Sequence, residues 1–363
     1  MAAFLDKTAC ASNTRVNSPI NVGLVGFGMA AQVFHAPLIH ASTDLRLTHI
    51  VQRQGDQAER TYPPAKVIRS VDALLADDSI QLVVVATPNT SHFDIARRAL
   101  EAGKHVVVDK PFTITSNDAD ELIKLSRTRN RVLSAFQNRR WDGDFLTVKQ
   151  ILHQKLLGRL VEFESRFDRF RPAPKPGAWR DQALPGSGIL FDLGSHLIDQ
   201  AVVLFGRPAG IYAEVRRQRD GVVSDDNFEL HLEYPQLKVT LKAGMLVCEP
   251  SPRFVLYGTE GSFVKYGLDP QEGALKQGGS PARPNWGAEP ESAWGTHTSC
   301  DGTMTRGKYP TLSGCYPEYY KNVYCAITGQ EELVVKPEQA RDVIRLIEFA
   351  QQSTAERRMI SVP

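Results

Sequence analysis

The sequence predicts an α/β protein: a doubly wound parallel sheet first, then an α+β half built on a large, mostly antiparallel open sheet. Three observations carry this. The turn Gly26-Phe27-Gly28-Met29-Ala30-Ala31 sets a GxGxxA pattern between an apolar strand and a helix, the arrangement that receives a dinucleotide pyrophosphate. From Ile20 to about Arg140, short β-rich apolar runs alternate with helical stretches, as in a parallel sheet covered by helices. Beyond that point long strands alternate apolar and polar residues, the pattern of a sheet with one covered face.

Taken in order, strands are predicted at Ile20 to Val25, Leu45 to Val51, Leu82 to Ala86, His105 to Asp109 and Val132 to Phe136. Between them helices are predicted at Met29 to Ala41, Val71 to Ala76, Ser91 to Ala102 closed by Gly103, and Asn117 to Arg127 with Ser116 as N-cap. A helix from Asp144 to Leu157, stopped by Gly158, leads into a strand whose Val161, Phe163, Ser165 and Phe167 share one face. Further strands are predicted at Ile211 to Arg217, Asn227 to Tyr234, Lys238 to Val247 and Arg253 to Tyr257. Residues 267–315, rich in Gly, Pro and Ser, read as a long functional loop or flexible excursion. Pro337 opens a last helix, Glu338 to Arg358, with Val343, Ile344, Ile347 and Phe349 near helical spacing. The division expected is a flexible extension over 1–19, a dinucleotide-binding unit over 20–140 and a substrate and assembly unit over 141–336. The helix at 337–358 is expected to pack back on the first unit.

With 363 residues, 42% of them hydrophobic, the chain can fill two cores. Its 43 basic and 41 acidic residues are interspersed, without the basic cluster that nucleic acid requires. No apolar run approaches the roughly 20 residues of a membrane helix. Five cysteines, Cys10, Cys248, Cys300, Cys315 and Cys325, have no metal spacing and read as free thiols in a reducing compartment. A cytoplasmic protein with a small-molecule partner and no bound metal is the expectation.

At the end of the second strand, Gln52-Arg53-Gln54 stands where a ribose-binding acid would be, and no carboxylate appears before Asp56. A guanidinium there accommodates a 2′-phosphate, so NADP is favoured over NAD, the alternative being a solvated Arg53. The polar turn Thr87-Pro88-Asn89-Thr90-Ser91-His92 follows the next central strand, at the edge where such sheets bind ligands; it lines the nicotinamide or simply caps a helix. One strand further, Asp109-Lys110-Pro111 delivers a lysine to the same edge, either over the cofactor or at the surface. In Gly186-Ser-Gly-Ile-Leu-Phe-Asp192-Leu-Gly-Ser-His196, Asp192 and His196 stand four apart, a surface pair or an acid–base couple in which the acid supports the charged imidazole.

The ordered set GFGMAA, TPNTSH, DKPF, QNRRWD and GSGILFDLGSHLID resembles the glucose–fructose oxidoreductase/inositol dehydrogenase/MocA (Gfo/Idh/MocA) family, nearest its NADP-dependent scyllo-inositol dehydrogenase-like branch. The resemblance implies a Rossmann domain, an NADP(H)-dependent oxidoreductase acting on a CH–OH or C=O group of a sugar, polyol or cyclitol, and a homodimer or homotetramer through the second sheet. It implies Lys110, Asp192 and His196 as the catalytic three. Asp109 replaces the family's glutamate, with shorter reach. Arg139 and Trp141, with Trp179 and Arg180, enter the substrate pocket, although core packing accounts for the tryptophans equally well. Two alternatives stay open: a silent NADP-binding regulator, and a dihydrodiol-type dehydrogenase on a non-sugar metabolite.

Overall fold

The computed structural model describes residues 18–174, 181–300 and 302–363. The first sheet has six strands, β1 (Ile20–Val25), β2 (Leu45–Val51), β3 (Lys66–Ile68), β4 (Leu82–Val85), β5 (His105–Val108) and β6 (Leu133–Ala135), in the order β3-β2-β1-β4-β5-β6. Every pairing is parallel. The central strands β4 and β5 bury both faces, which is why their Val and Leu residues run without alternation. The chain leaves β1 for β2 on one side and returns to β4 on the other, opening a crevice at the carboxyl ends of β1 and β4.

The helix after β1 begins as a wide π-type turn, Ala31–His35, and continues as α1 (Ala36–His40). Then come α2 (Gln57–Thr61), α3 (Val71–Leu75), α4 (His92–Glu101) and α5 (Ser116–Thr128). Thr115, not Ser116, is the N-cap of α5, its hydroxyl accepting from the Asp118 amide. Ser116 is drawn away because its amide and hydroxyl both donate to Glu348, at 2.7 Å each.

The second half opens with α6 (Gly143–His153) and β7 (Leu160–Arg166), followed by α7 (Ser195–Phe205), β8 (Gly210–Arg216), β9 (Asn227–Tyr234), β10 (Leu237–Gly244), β11 (Phe254–Gly258) and β12 (Gly261–Lys265). Residues 267–315 correct the expectation of a loop. They hold α8 (Gln271–Lys276), β13 (Gly295–Ser299) and β14 (Thr305–Tyr309), and the two strands extend the sheet as a hairpin. Four of the five β14 residues are exposed, so this edge strand has no apolar face to betray it; besides its backbone pairing, Tyr309 anchors it against Phe263 at 6.2 Å. After α9 (Pro317–Ile327) and α10 (Pro337–Glu356), β15 (Ile360–Ser361) completes a nine-stranded sheet, β14-β13-β12-β11-β7-β10-β9-β8-β15, antiparallel except where β10 meets β7.

α10 lies on elements of both halves. Val343, Ile344 and Ile347 are buried, while Phe349 is only partly so. Arg341 and Arg345 reach Asp120 of α5 at 2.6 and 3.0 Å, and Ser353 accepts from the Ala213 amide of β8 at 2.9 Å.

Candidate functional site

At the mouth of the crevice Gly26 has φ +95°, and a Cβ there would stand 2.8 Å from the Ala86 carbonyl oxygen, so β1 and β4 close on each other only around a glycine. Gly28 is exposed, and a Cβ on it would meet nothing within 4 Å. The turn is therefore open at Gly28, just ahead of a helical start, a shape that fits a pyrophosphate. Phe27 turns its ring inward against Tyr62, at 6.1 Å and near perpendicular, and its carbonyl accepts from Gln32, so it offers a ligand backbone only. Met29 is exposed, Ala30 half-buried and Ala31 buried under the sheet edge.

Beside the cradle, Arg53 is exposed and forms no ion pair among the described residues; the nearest acid in sequence, Asp56, is held by Arg60 at 2.7 Å. The loop that presents Arg53 is fixed from below. Gln52 accepts from the Ala58 amide at 2.8 Å, and Arg69 donates to the carbonyls of Gln52 and Gly55 at 2.8 and 2.6 Å.

The Thr87–His92 turn is a structural junction as much as a lining. Thr87 accepts from Ser91 at 2.8 Å, exposed Pro88 faces outward, and Asn89 donates to the Gly186 carbonyl of the second half at 2.7 Å. Neither Thr90 nor Ser91 caps α4 through its side chain. His92 is turned to the protein: it is 1% exposed, and its two ring nitrogens lie 2.8 and 2.9 Å from the carbonyls of Pro111 and Thr87, so that its ring sits between two loops.

Lys110 stands just past β5, its peptide to Pro111 cis. Its ammonium donates to the Asp192 carboxylate at 2.7 Å and to the Asp192 carbonyl at 2.8 Å. The short Asp109 carboxylate accepts from the Lys110 amide at 2.8 Å and stops 3.5 Å from His35 Nε2, whose ring is held through Nδ1 by Tyr320 at 2.6 Å. Burial pushes the Asp109 carboxyl up, but His35, Lys110 and His92 together hold it below the ordinary value.

Asp192 sits in a second π-type turn, Leu190–Gly194, and His196 in the first turn of α7. The start of this helix is fixed by Asp225, which accepts from the Leu190 amide at 2.7 Å and whose carboxyl burial pushes up to about 6. Gly188 must be glycine here, since its Cβ would fall on the Asp225 carboxylate. His196 is 3% exposed, and among the described residues its Nδ1 has no hydrogen-bond partner. Burial, with Lys110 and Arg139, holds the imidazole well below 6.5 although Asp192 pulls the other way. The expectation that the acid supports a charged histidine is thus reversed: the surroundings keep the ring neutral. Lys110, Asp192 and His196 are brought together, the first two in contact and the third within electrostatic reach of both.

Arg139 is 6% exposed, pairs with Asp142 at 3.2 Å and with Glu272, and belongs to the electrostatic surroundings of His196. Burial pushes Glu272 up, yet Arg139 and Lys276 hold it down at about 2. Trp141 is half-buried with its ring edge on Tyr319, at 5.8 Å, which is the core-packing alternative. Trp179 and Arg180 lie outside the described residues. Sequence reasoning missed the buried partners that set this end: Arg253, which donates to Gln200 at 2.7 Å and lies 3.8 Å from Asp144, and Arg140, which binds Asp199 through two bonds of 2.8 and 2.6 Å. Among the described residues no cluster of His, Cys, Asp and Glu is placed to hold a metal, and no helix is long and apolar enough to cross a membrane.

Two family models match the chain. Residues 20–137 match the oxidoreductase family NAD-binding Rossmann fold, and residues 149–362 match the C-terminal alpha/beta domain of the same family. The chain is 43% identical to the uncharacterized oxidoreductase YdgJ of Escherichia coli, over 93% of this chain and 97% of that protein. It is 35% identical to scyllo-inositol 2-dehydrogenase (NADP(+)) IolW of Bacillus subtilis, over 94% and 95% respectively. Its fold superposes on the solved structure of Bacillus subtilis yvaA with a TM-score of 0.93 at 34% identity, covering 96% of this chain and all of that one.

Proposed function

The chain belongs to the Gfo/Idh/MocA oxidoreductase family, and on that premise we propose that it moves a hydride between NADP(H) and a CH–OH or C=O carbon of a sugar, polyol or cyclitol. The observation that carries this reading is the gathering of Lys110, Asp192 and a neutral His196 at the carboxyl edge of the nucleotide-binding sheet. The Gly26–Ala31 cradle would hold the pyrophosphate, and the unpaired Arg53 would pair with the 2′-phosphate. The coenzyme in IolW's name accords with this choice.

When bound, the nicotinamide accepts or returns a hydride at its C4. In the oxidising direction His196 takes the hydroxyl proton, a role open to an imidazole that is neutral at the start. Lys110 donates a hydrogen bond to the oxygen as it becomes an alkoxide. Asp192 aims the ammonium by binding it, and Asn89 and His92 fix the loops on which the lysine is carried. In reduction the same groups act in reverse, His196 returning the proton. A homodimer or homotetramer through the nine-stranded sheet belongs to the same proposal.

The test follows NADPH absorbance over a panel of inositols, inososes, pentoses, hexoses and their oxidised forms, with NADH in parallel. Turnover of one hydroxylated substrate class with NADPH ahead of NADH is expected. NADPH-dependent thermal stabilisation without any turnover would replace the reductase by a cofactor-binding regulator, and a preference for NADH would overturn the role given to Arg53.

A further inference from the structure

Three guanidinium groups surround the ring of Phe167, just past β7: Arg139 at 4.8 Å from its centroid, Arg169 at 5.2 Å and Arg253 at 5.5 Å. Two of them are compensated. Arg139 has Glu272 and Asp142, and Arg253 has the Ser165 hydroxyl, the Gln200 amide oxygen and the Arg166 carbonyl, with Asp144 behind. Arg169 is different. It is half-buried, and among the described residues its guanidinium has neither a hydrogen bond nor an ion pair.

The acid that acts on Arg169 most strongly is Asp192, and that carboxylate already holds Lys110. Arg171 and Arg139 oppose it with like charge, and Glu272, which helps it, is bound to Arg139 and Lys276. Burial draws the guanidinium down from its ordinary value and these acids recover only part. Among the described residues Arg169 is therefore a cation with no acid of its own, close to Asp192, before an oxidised nicotinamide adds its own positive charge. A planar fork of donors in this condition suits a bidentate anion better than a neutral hydroxyl.

We infer that the natural substrate carries an anionic oxygen group, a carboxylate or a phosphate set away from the reacting carbon, and that Arg169 receives it. This rests on the reductase reading and narrows it: the substrate class becomes acidic sugars, polyols or cyclitols. Arg169 is then a specificity-determining residue, while proton and hydride transfer stay with the groups described above.

The experiment compares matched neutral, carboxylate and phosphate members of each sugar and cyclitol set, by kcat/KM and by thermal stabilisation of the NADPH-loaded protein. One charged member is expected to exceed its neutral counterpart about ten- to hundredfold, and which one wins identifies the anion. Arg169→Gln should cut that ratio by about tenfold or more, Arg169→Lys by less, and Arg46→Gln, an exposed residue of β2, should leave it intact. Neutral members turning over as well as charged ones, or a charge preference that survives Arg169→Gln, overturns the inference while sparing the reductase. If nothing turns over, the reductase reading fails by itself: stabilisation by an acid through Arg169 then still supports the anion site, and its absence removes it. The wild-type comparison stands even if an Arg169 variant does not fold.

Discussion

The two ends of the crevice handle charge in opposite ways. At the nucleotide end the polar groups are backbone amides of an open turn and an exposed arginine, Arg53, so charges there are hydrated and screened. At the substrate end Arg139, Arg140, Asp142, Asp144, His196, Asp199 and Arg253 are all below a tenth exposed. The ions among them are held by one another and by buried hydrogen-bond acceptors, because an unpaired buried ion is strongly destabilising. Affinity can be altered at the first end with little effect on the fold. At the second, the proton transfer proposed for His196 would depend on the same buried surroundings that hold the fold.

The largest effect that separates the two ends is on turnover. His196→Gln or Lys110→Met is expected to lower kcat by about 10²- to 10⁴-fold on a confirmed substrate, with NADPH affinity, followed by fluorescence, nearly constant. Next, Asp199→Asn removes the carboxylate that pairs with Arg140, leaving the guanidinium with neutral acceptors such as the Val334 carbonyl and Gln339. Urea unfolding should show a loss of about 3–5 kcal/mol; a loss below about 1 kcal/mol would mean that the buried charges are not the framework described. At the open end, Arg53→Ala should weaken NADPH binding by about ten- to hundredfold and NADH binding little, with the melting temperature unmoved.

The smallest effect concerns pH. His196 stays neutral in the folded protein well below 6.5, where the unfolded chain would already bind a proton. Its contribution therefore favours unfolding as pH falls below 6.5 and vanishes above it. The wild type should lose roughly 1 kcal/mol more than His196→Gln over the first unit below that point, read from paired urea titrations.

Legibility in the sequence follows the same divide. The cradle, the parallel strands and the Arg53 position depend on local chemistry, a glycine at one φ or a run of β-branched residues, and could be read within a few neighbours. Lys110, Asp192 and His196 were found one by one, but their joint electrostatics could not be. The neutrality of His196 depends first on its burial and then on Lys110 and Arg139, all supplied by other elements of the fold. His92 shows the same limit: a histidine beside a cofactor turn has the same local sequence whether it faces the ligand or two carbonyls. The β13–β14 hairpin escaped because its residues are polar on both faces, and only pairing with β12 makes them strands.

The long helix α10 covers α5 as well as β8. During synthesis this means that the first sheet emerges, and can form its crossovers, while one side of α5 still lacks its cover. Roughly 200 residues separate α5 from α10, which at about 5–20 residues per second leaves Asp120, Ser116 and the neighbouring apolar ridge unpartnered for about 10–40 s. The half that binds the nucleotide is made first and finished last, and in that interval the face of α5 that α10 covers stays open.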